Sequence, residues 1–114
     1  MRHSYIKRVT YAASQFPPVL SLTIHHAPHR RMNNKFDAVL KQYREDLVAA
    51  LTAAGVPLPI RHSIDLDVLF VKPTSPDLDN LITALFQALD GKTLKVPGLL
   101  ADDGQISKVT MMIL

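Results

Sequence analysis

The sequence predicts a small α+β or α/β domain in which two main helices pack on a mixed sheet, in the order β-α-β-α-β. Two observations lead to this prediction. Apolar residues alternate with other residues in three segments, and they recur at three- and four-residue steps in two further segments. The chain has 114 residues, of which 47% are apolar, which is enough for the core of a single domain over residues 1–114.

The first predicted strand lies in the segment VLSLTIHH, where Leu20, Leu22 and Ile24 alternate with small or polar residues. The segment APHRRMNN that follows is typical of a loop, because Pro28 interrupts regular structure. Residues 1–18 show no clear periodicity. They are interpreted as either a basic arm or an extra strand.

The clearest helix is predicted over about residues 34–54. Its apolar face consists of residues at three- and four-residue steps, which are Phe36, Leu40, Tyr43, Leu47, Leu51 and Ala54. Asn33 or Asn34 can cap the start of this helix, and Gly55 can end it in a left-handed conformation.

A long strand is predicted in IRHSIDLDVLFVKP. One of its faces is apolar and carries Ile64, Leu66, Val68 and Phe70. Asp65 and Asp67 lie on the other face, which we expect to face solvent. The last segment, QISKVTMMIL, is apolar on alternate residues and also at Met112 and Leu114, so it predicts a strand buried on both faces.

The second helix is predicted in TSPDLDNLITALFQALDG. Its apolar stripe begins around Leu78 to Leu81, and Gly91 is the natural stop. The loop after it contains Pro97, Gly98 and Gly104 and leads into the last strand.

Charge is divided unevenly along the chain. Residues 1–36 contain no Asp or Glu, whereas the rest of the chain holds ten acids and seven bases. This asymmetry indicates an anionic partner, most commonly nucleic acid, although a solvated basic arm gives the same pattern. The candidate DNA contacts are Arg30, Arg31, Lys35, Lys7, Arg8 and Lys72.

Four of the five histidines also lie in this basic front end. His25 and His26 are adjacent on a predicted strand, so their side chains are expected on opposite faces. Without cysteine or a helix-spaced histidine partner, we expect them to face solvent or DNA and not to bind a metal.

The composition also bears on location. The chain has no cysteine, which removes disulfides and thiolate chemistry. The N-terminal residues contain no uninterrupted apolar region typical of a signal peptide, and no apolar run is long enough to span a bilayer. We therefore expect a cytoplasmic protein without a membrane partner.

Two carboxylates, Asp77 and Asp79, lie where the second helix begins. They can converge only if Asp77 precedes the helix and Asp79 lies at its mouth, because residues two apart on a helix diverge by about 200°. Close carboxylates repel, and a bound Mg²⁺ or Mn²⁺ removes that cost. Asp102 or Asp103 could add a third ligand. Taken alone, each of these acids is better explained by helix capping or turn chemistry than by metal binding.

The segments PDLDNLITALFQALDG and LADDGQI together resemble the RusA-type Holliday junction resolvases, a family common in phages and prophages. The resemblance covers residues 76–106. It implies a Mg²⁺-dependent endonuclease, with Mn²⁺ as a substitute, which acts as a homodimer on branched DNA in a bacterial or phage-infected cell. It further implies that Asp77, Asp79 and Asp103 are the catalytic metal ligands, with Asn80 and Asp102 in supporting positions.

The chain departs from the family pattern at Thr83, where the family has lysine. A cation at that position would stabilise charge in the transition state, and its loss can cost about 10²–10³ in rate. Lys72, Lys92 or Lys95 could substitute for it. The alternative hypothesis is therefore a junction-binding protein whose cleavage is weak or lost, and a domain with capping aspartates and no metal is a third.

Overall fold

The computed structural model describes residues 3–29, 36–101 and 103–114, except for the side chains of Phe36 and Asp103. The elements are β1 (Ile6–Ala12), β2 (Val19–His25), α1 (Phe36–Ala53), β3 (Ile64–Val71), α2 (Leu78–Asp90) and β4 (Ile106–Ile113). A short 3-10 helix, Asp103–Gln105, leads into β4. The predicted strands and helices are confirmed as a small α+β fold, and the residues before Pro17 contribute an additional strand.

The four strands form one sheet in the order β1-β2-β3-β4. β1 is antiparallel to β2, whereas β2, β3 and β4 are parallel to one another. His25 is opposite Val71 at one end of the parallel strands, and Ile64 is opposite Ile106 at the other end. We call these ends the carboxyl edge and the amino edge of the sheet.

Both helices cover the same face of the sheet. β2, β3 and β4 follow one another across the sheet, so the right-handed crossovers that such connections adopt place α1 and α2 on one side. The burial pattern agrees, because alternate residues of β2 and β3 are buried together with the apolar stripes of the two helices. On the other face of β3, Asp65 is half-buried and Asp67 is exposed. This helix-free face is therefore partly acidic, as predicted for the two aspartates.

The prediction that the last strand is buried on both faces is wrong. β4 lies at the edge of the sheet, and its inward residues, among them Val109 and Met111, are only half-buried. Met112 and Leu114 are 61% and 75% exposed. Apolar composition on both faces suggested burial, but helices cover only one face of this sheet.

The two helices are joined to each other through Arg44 of α1. Its guanidinium donates hydrogen bonds to the Ala88 and Leu89 carbonyls at 2.9 and 3.4 Å, and to the Pro97 carbonyl. Burial lowers the pKa of Arg44 from its usual value, and the nearby Asp90 carboxylate opposes that shift. The contact satisfies backbone acceptors at the C-terminus of α2, which would otherwise lack intrahelical partners.

Burial also governs Tyr43 of α1, which is fully buried in the core. Removal from water raises the pKa of its hydroxyl well above the ordinary value, with a smaller contribution from Tyr5. The two rings pack edge to face with their centroids 5.5 Å apart. Tyr43 is therefore a packing residue.

Among the described residues, no helix is long and apolar enough to cross a bilayer.

Candidate functional site

Asp77 lies immediately before α2 in an extended conformation, with φ −92° and ψ 106°. Its Oδ1 accepts a hydrogen bond from the Asp79 backbone N–H at 3.1 Å, and its Oδ2 accepts one from Asn80 Nδ2 at 3.2 Å. Asp77 is thus the N-cap of α2, which confirms the capping interpretation for this residue. A carboxylate has about four lone-pair sites, so these two bonds leave acceptor capacity toward solvent.

Asp79 is the second residue of α2 and is exposed. Asp77 therefore precedes the helix and Asp79 lies at its mouth, which is the condition that the sequence set for the two side chains to converge. Both acids stand at the N-terminus of a 13-residue helix, where the backbone dipole favours negative charge. The pair can offer hard oxygen ligands to a cation at the carboxyl edge of the sheet.

Thr83 follows Asp79 by one helical turn. Its hydroxyl donates to the Asp79 backbone carbonyl at 2.7 Å, a local bond that side chains of this type commonly make within helices. The half-buried Thr83 side chain is therefore part of the helix backbone network. It supplies no cation where the resemblance predicts one.

The third predicted ligand, Asp103, lies in the segment before β4 and not near the start of α2. Asp102 and the Asp103 side chain are outside the described residues, so their predicted contact with a metal stays a prediction. The Asp103 backbone is described and begins the 3-10 helix that leads to Ile106. Among the described side chains, no group of three or more residues could hold a metal ion.

Both flanks of residues 102 and 103 are bound to the amino edge of the sheet. The Ala101 N–H donates to the Ile60 carbonyl at 3.2 Å, and Gln105 Nε2 donates to the Ile60 and His62 carbonyls at 2.8 and 2.9 Å. Asp77 and Asp79 lie beyond the opposite end of β3. That eight-residue strand spans about 26 Å. Within one chain, the backbone therefore keeps Asp103 far from the other two acids.

The candidate substitute lysines divide between the same two edges. Lys72 follows β3 directly and lies at the carboxyl edge, five residues before Asp77. Lys92 and Lys95 follow the C-terminus of α2, at the amino edge. Of these three lysines, only Lys72 is on the segment that leads to the aspartates.

The predicted DNA contacts are described in part. Arg30, Arg31 and Lys35 lie outside the described residues. Lys7 and Arg8 are exposed on β1, where Arg8 pairs with Thr23 near the carboxyl end of β2. Because β1 is antiparallel to β2, Lys7 comes to the same edge as Lys72, Asp77 and Asp79.

A cavity that was not predicted from the sequence lies at this edge. It has a volume of about 290 Å³ and is lined by His3, Ser4, Tyr5, Lys7, His25 and His26. The prediction that His25 and His26 point to opposite faces is wrong. β2 ends at His25, and His26 has a φ of 55°, so alternation stops between them. The concentration of histidines in the first 36 residues was the available signal.

Comparison of the chain with protein-family models, curated proteins and solved structures finds no match. The likeness to the RusA-type resolvases therefore rests on the segments PDLDNLITALFQALDG and LADDGQI alone.

Proposed function

We propose that the chain is a Mg²⁺-dependent, structure-selective DNA endonuclease that resolves Holliday junctions and related branched DNA in recombination and repair. The observation that carries this proposal is the position of Asp77 and Asp79, two exposed carboxylates around the first residue of α2. They occupy the segment PDLDN, which carries the resemblance to RusA-type resolvases.

The donor set fits a hard divalent cation. Asp77 and Asp79 supply only oxygen atoms, which suit Mg²⁺ or Mn²⁺ and not a soft metal. A bound Mg²⁺ would supply a water of lowered pKa and neutralise charge on the scissile phosphate. The helix N-terminus beside the two acids favours an incoming phosphate, since its backbone N–H groups are directed outward. Asn80, hydrogen-bonded to Asp77, keeps that carboxylate in a fixed orientation.

A third ligand from Asp103 requires a second copy of the chain, because one chain holds the two parts of the site at opposite edges. In a twofold dimer, the strands of the two copies can run antiparallel, so the amino edge of one copy lies beside the carboxyl edge of the other. β4 favours such an arrangement, because within the described part of the chain its outer side is unpaired over eight residues. Each dimer would then hold two sites, which matches two cuts in opposed strands.

The basic residues support binding to a nucleic acid backbone. Lys7 and Lys72 lie at the same edge as Asp77 and Asp79, and Arg8 is one residue farther along β1. Phosphate contacts of this kind position DNA without reading its sequence and weaken as salt increases. Arg30, Arg31 and Lys35 belong to the same proposed surface.

The test is cleavage of a synthetic four-way junction in Mg²⁺ or Mn²⁺. We expect Asp79→Asn to lower the cleavage rate at least about a hundredfold. Asp67→Asn is a matched control, because Asp67 is an exposed acid in a second Asp-Leu-Asp segment on the helix-free face. If the Asp79 variant cleaves like the wild type, or if both variants lose activity equally, the metal site is not at Asp79.

Junction binding with little or no cleavage is the second candidate, and the Thr83 hydrogen bond favours it. Threonine carries no charge, and the Thr83 hydroxyl donates to the Asp79 backbone carbonyl, so this position offers the acids no cation. A gel shift with junction DNA and no products in Mn²⁺ would support binding alone. A Thr83→Lys variant that gains cleavage would identify the missing cation as the limiting group.

A further inference from the structure

The cavity lined by His3, Ser4, Tyr5, Lys7, His25 and His26, which we call the histidine pocket, has no role in the proposed cleavage site. Its volume of about 290 Å³ exceeds that of a phosphate group and leaves room for part of a nucleotide. Three imidazoles and one ammonium group line the same concavity. Such a combination of side chains is suited to an anion.

The backbone adopts an unusual conformation to form this pocket. His26 and Lys72 directly follow β2 and β3, and both have positive φ, at 55° and 47°. The left-handed region is unfavourable for a residue with a side chain. The His26 N–H donates to the Val71 carbonyl at 3.0 Å, which holds the turn in place. This turn is what brings His26 to the same cavity as His25, and strain of this kind tends to be retained at functional sites.

The hydrogen bond of His26 determines how its ring can meet an anion. Nδ1 lies 3.2 Å from the Lys72 carbonyl oxygen, which can only accept, so Nδ1 carries the proton. The neutral ring then presents a lone pair at Nε2, which repels an anion. Protonation converts Nε2 into a donor, so the imidazolium can bind an anion that the neutral ring cannot.

The side chains that line the pocket include a cationic group. Lys7 contributes this positive charge from β1, and the loop after β3 contributes the backbone carbonyl of Lys72 that contacts His26. The opposing charge is Asp46 of α1, which is buried. Its Oδ2 accepts from the Tyr5 N–H at 2.9 Å and its Oδ1 accepts from Gln42 at 3.0 Å. The pocket lining thus holds one lysine and three imidazoles, and the Asp46 carboxylate is bonded to the backbone of Tyr5, another lining residue.

We propose that the histidine pocket binds a phosphate group of a nucleic acid strand, and that this binding is stronger at lower pH, because a protonated imidazole has a second N–H donor. The nucleic acid as the source of the phosphate rests on the proposed function. The phosphate chemistry rests on the pocket itself. Two hydrogen bonds link the loop after β2 to the segment leading to Asp77. Thr74 donates to the Ala27 carbonyl, and His29 donates to Thr74. A strand held in the pocket thus lies on the loops that carry the acids.

The test measures binding of a short 5′-phosphorylated oligonucleotide in EDTA by fluorescence anisotropy, between pH 8.0 and 5.5. We expect affinity to rise about tenfold or more for the wild type, as expected for a new charge-assisted hydrogen bond. A His25→Gln, His26→Asn double variant should lose most of this gain. Asparagine tolerates positive φ, so the turn is preserved. His62→Gln is the matched control, since His62 lies at the amino edge, bonded to Tyr11 at 2.8 Å.

Histidine NMR signals identify the source of the phosphate. We expect the ring resonances of His25 and His26 to shift when the oligonucleotide is added. Inorganic phosphate should compete with the oligonucleotide for the pocket and reduce these shifts. If the resonances shift with inorganic phosphate but not with the oligonucleotide, the phosphate does not come from a nucleic acid. No shift with either probe, or an equal loss in the His62 variant, would overturn the pocket. Oligonucleotide binding is measured in EDTA and so does not depend on the metal. It can therefore be observed even if the chain does not cleave junctions, and cleavage can be observed even if the pocket binds no phosphate.

Discussion

Asp77 combines two properties that are usually separate. It is the N-cap of α2, and it is exposed where the proposed cation would bind. Capping requires only a side-chain oxygen, whereas binding of a divalent cation depends on the negative charge. A substitution that keeps the oxygen and removes the charge therefore distinguishes the two properties.

We expect Asp77→Asn to keep the stability of the wild type, because asparagine caps helices as well as aspartate does. Asp77→Ala should lose about 1 kcal/mol in the free energy of unfolding, measured by urea denaturation. Both variants should bind Mn²⁺ more weakly in calorimetry. Unchanged Mn²⁺ heat in Asp77→Asn would show that this carboxylate does no more than cap the helix.

The C-terminus of α2 shows how an element can be stopped by close packing. Gly91 ends the helix with φ 72°, and its N–H donates to the Gln87 carbonyl at 3.2 Å. A Cβ at this position would lie 2.5 Å from the Val96 carbonyl oxygen and 2.9 Å from that of Pro97. The loop after α2 is therefore packed directly on the glycine.

We expect Gly91→Ala to lower the free energy of unfolding by about 2–4 kcal/mol, since left-handed strain adds to the backbone clash. Gly55→Ala is the matched control, because Gly55 has φ 77° and a Cβ added there would meet no atom within 4 Å. It should lose only about 1 kcal/mol. Equal losses in thermal or chemical denaturation would mean that the clash at Gly91 is relieved by movement of the loop.

The sequence correctly predicted the helices and strands in which buried residues recur at a regular spacing. α1 and α2 follow their apolar stripes, β3 follows its alternation, and Gly91 ends α2 as expected. The two strands at the sheet edges were less predictable. The burial of β4 depends on which face the helices cover, and β1 lacks a clear alternation because its register is irregular between Ile6 and Arg8.

The local conformation around Asp77 and Asp79 could be predicted from the sequence. The distance between these acids and Asp103 was not predicted. The order of Asp77, Leu78 and Asp79 follows from helix entry chemistry. The distance to Asp103 follows from strand direction, because a β-α-β crossover returns the chain to the amino ends of parallel strands. That rule, applied to the sequence, would have separated the acids. The turn at His26 has no such signal, since the sign of φ at a non-glycine residue depends on tertiary contacts.

At the scale of the whole molecule, the proposed site can be tested by mixing two inactive variants. If Asp103 acts in the second copy, a dimer of one Asp79→Asn chain and one Asp103→Asn chain holds one intact site. If each site lies within one chain, both sites carry a substitution. We expect the reassorted mixture to regain nicking of a junction and to bind about one Mn²⁺ per mixed dimer, as twofold symmetry requires.

The homogeneous variants are the controls for this experiment, since each should remain inactive alone. A mixture that stays inactive, in a preparation where the wild type cleaves, would place the third ligand in the same chain or on another acid. Sedimentation of each sample should show that the variants still dimerise, so that loss of association is not mistaken for loss of a ligand.

The helix-free face of the sheet has a consequence for how a duplex can approach. Exposed Asp67 and half-buried Asp65 lie in the middle of that face, but by register Lys108 and Arg8 lie there too, so the face offers a polyanion little net attraction. The helices shield the reverse side. If the chain binds branched DNA as proposed, the arms would lie along the carboxyl edge where Lys7 and Lys72 are located, and the polarity of the sheet would then dictate which way each arm leaves the protein.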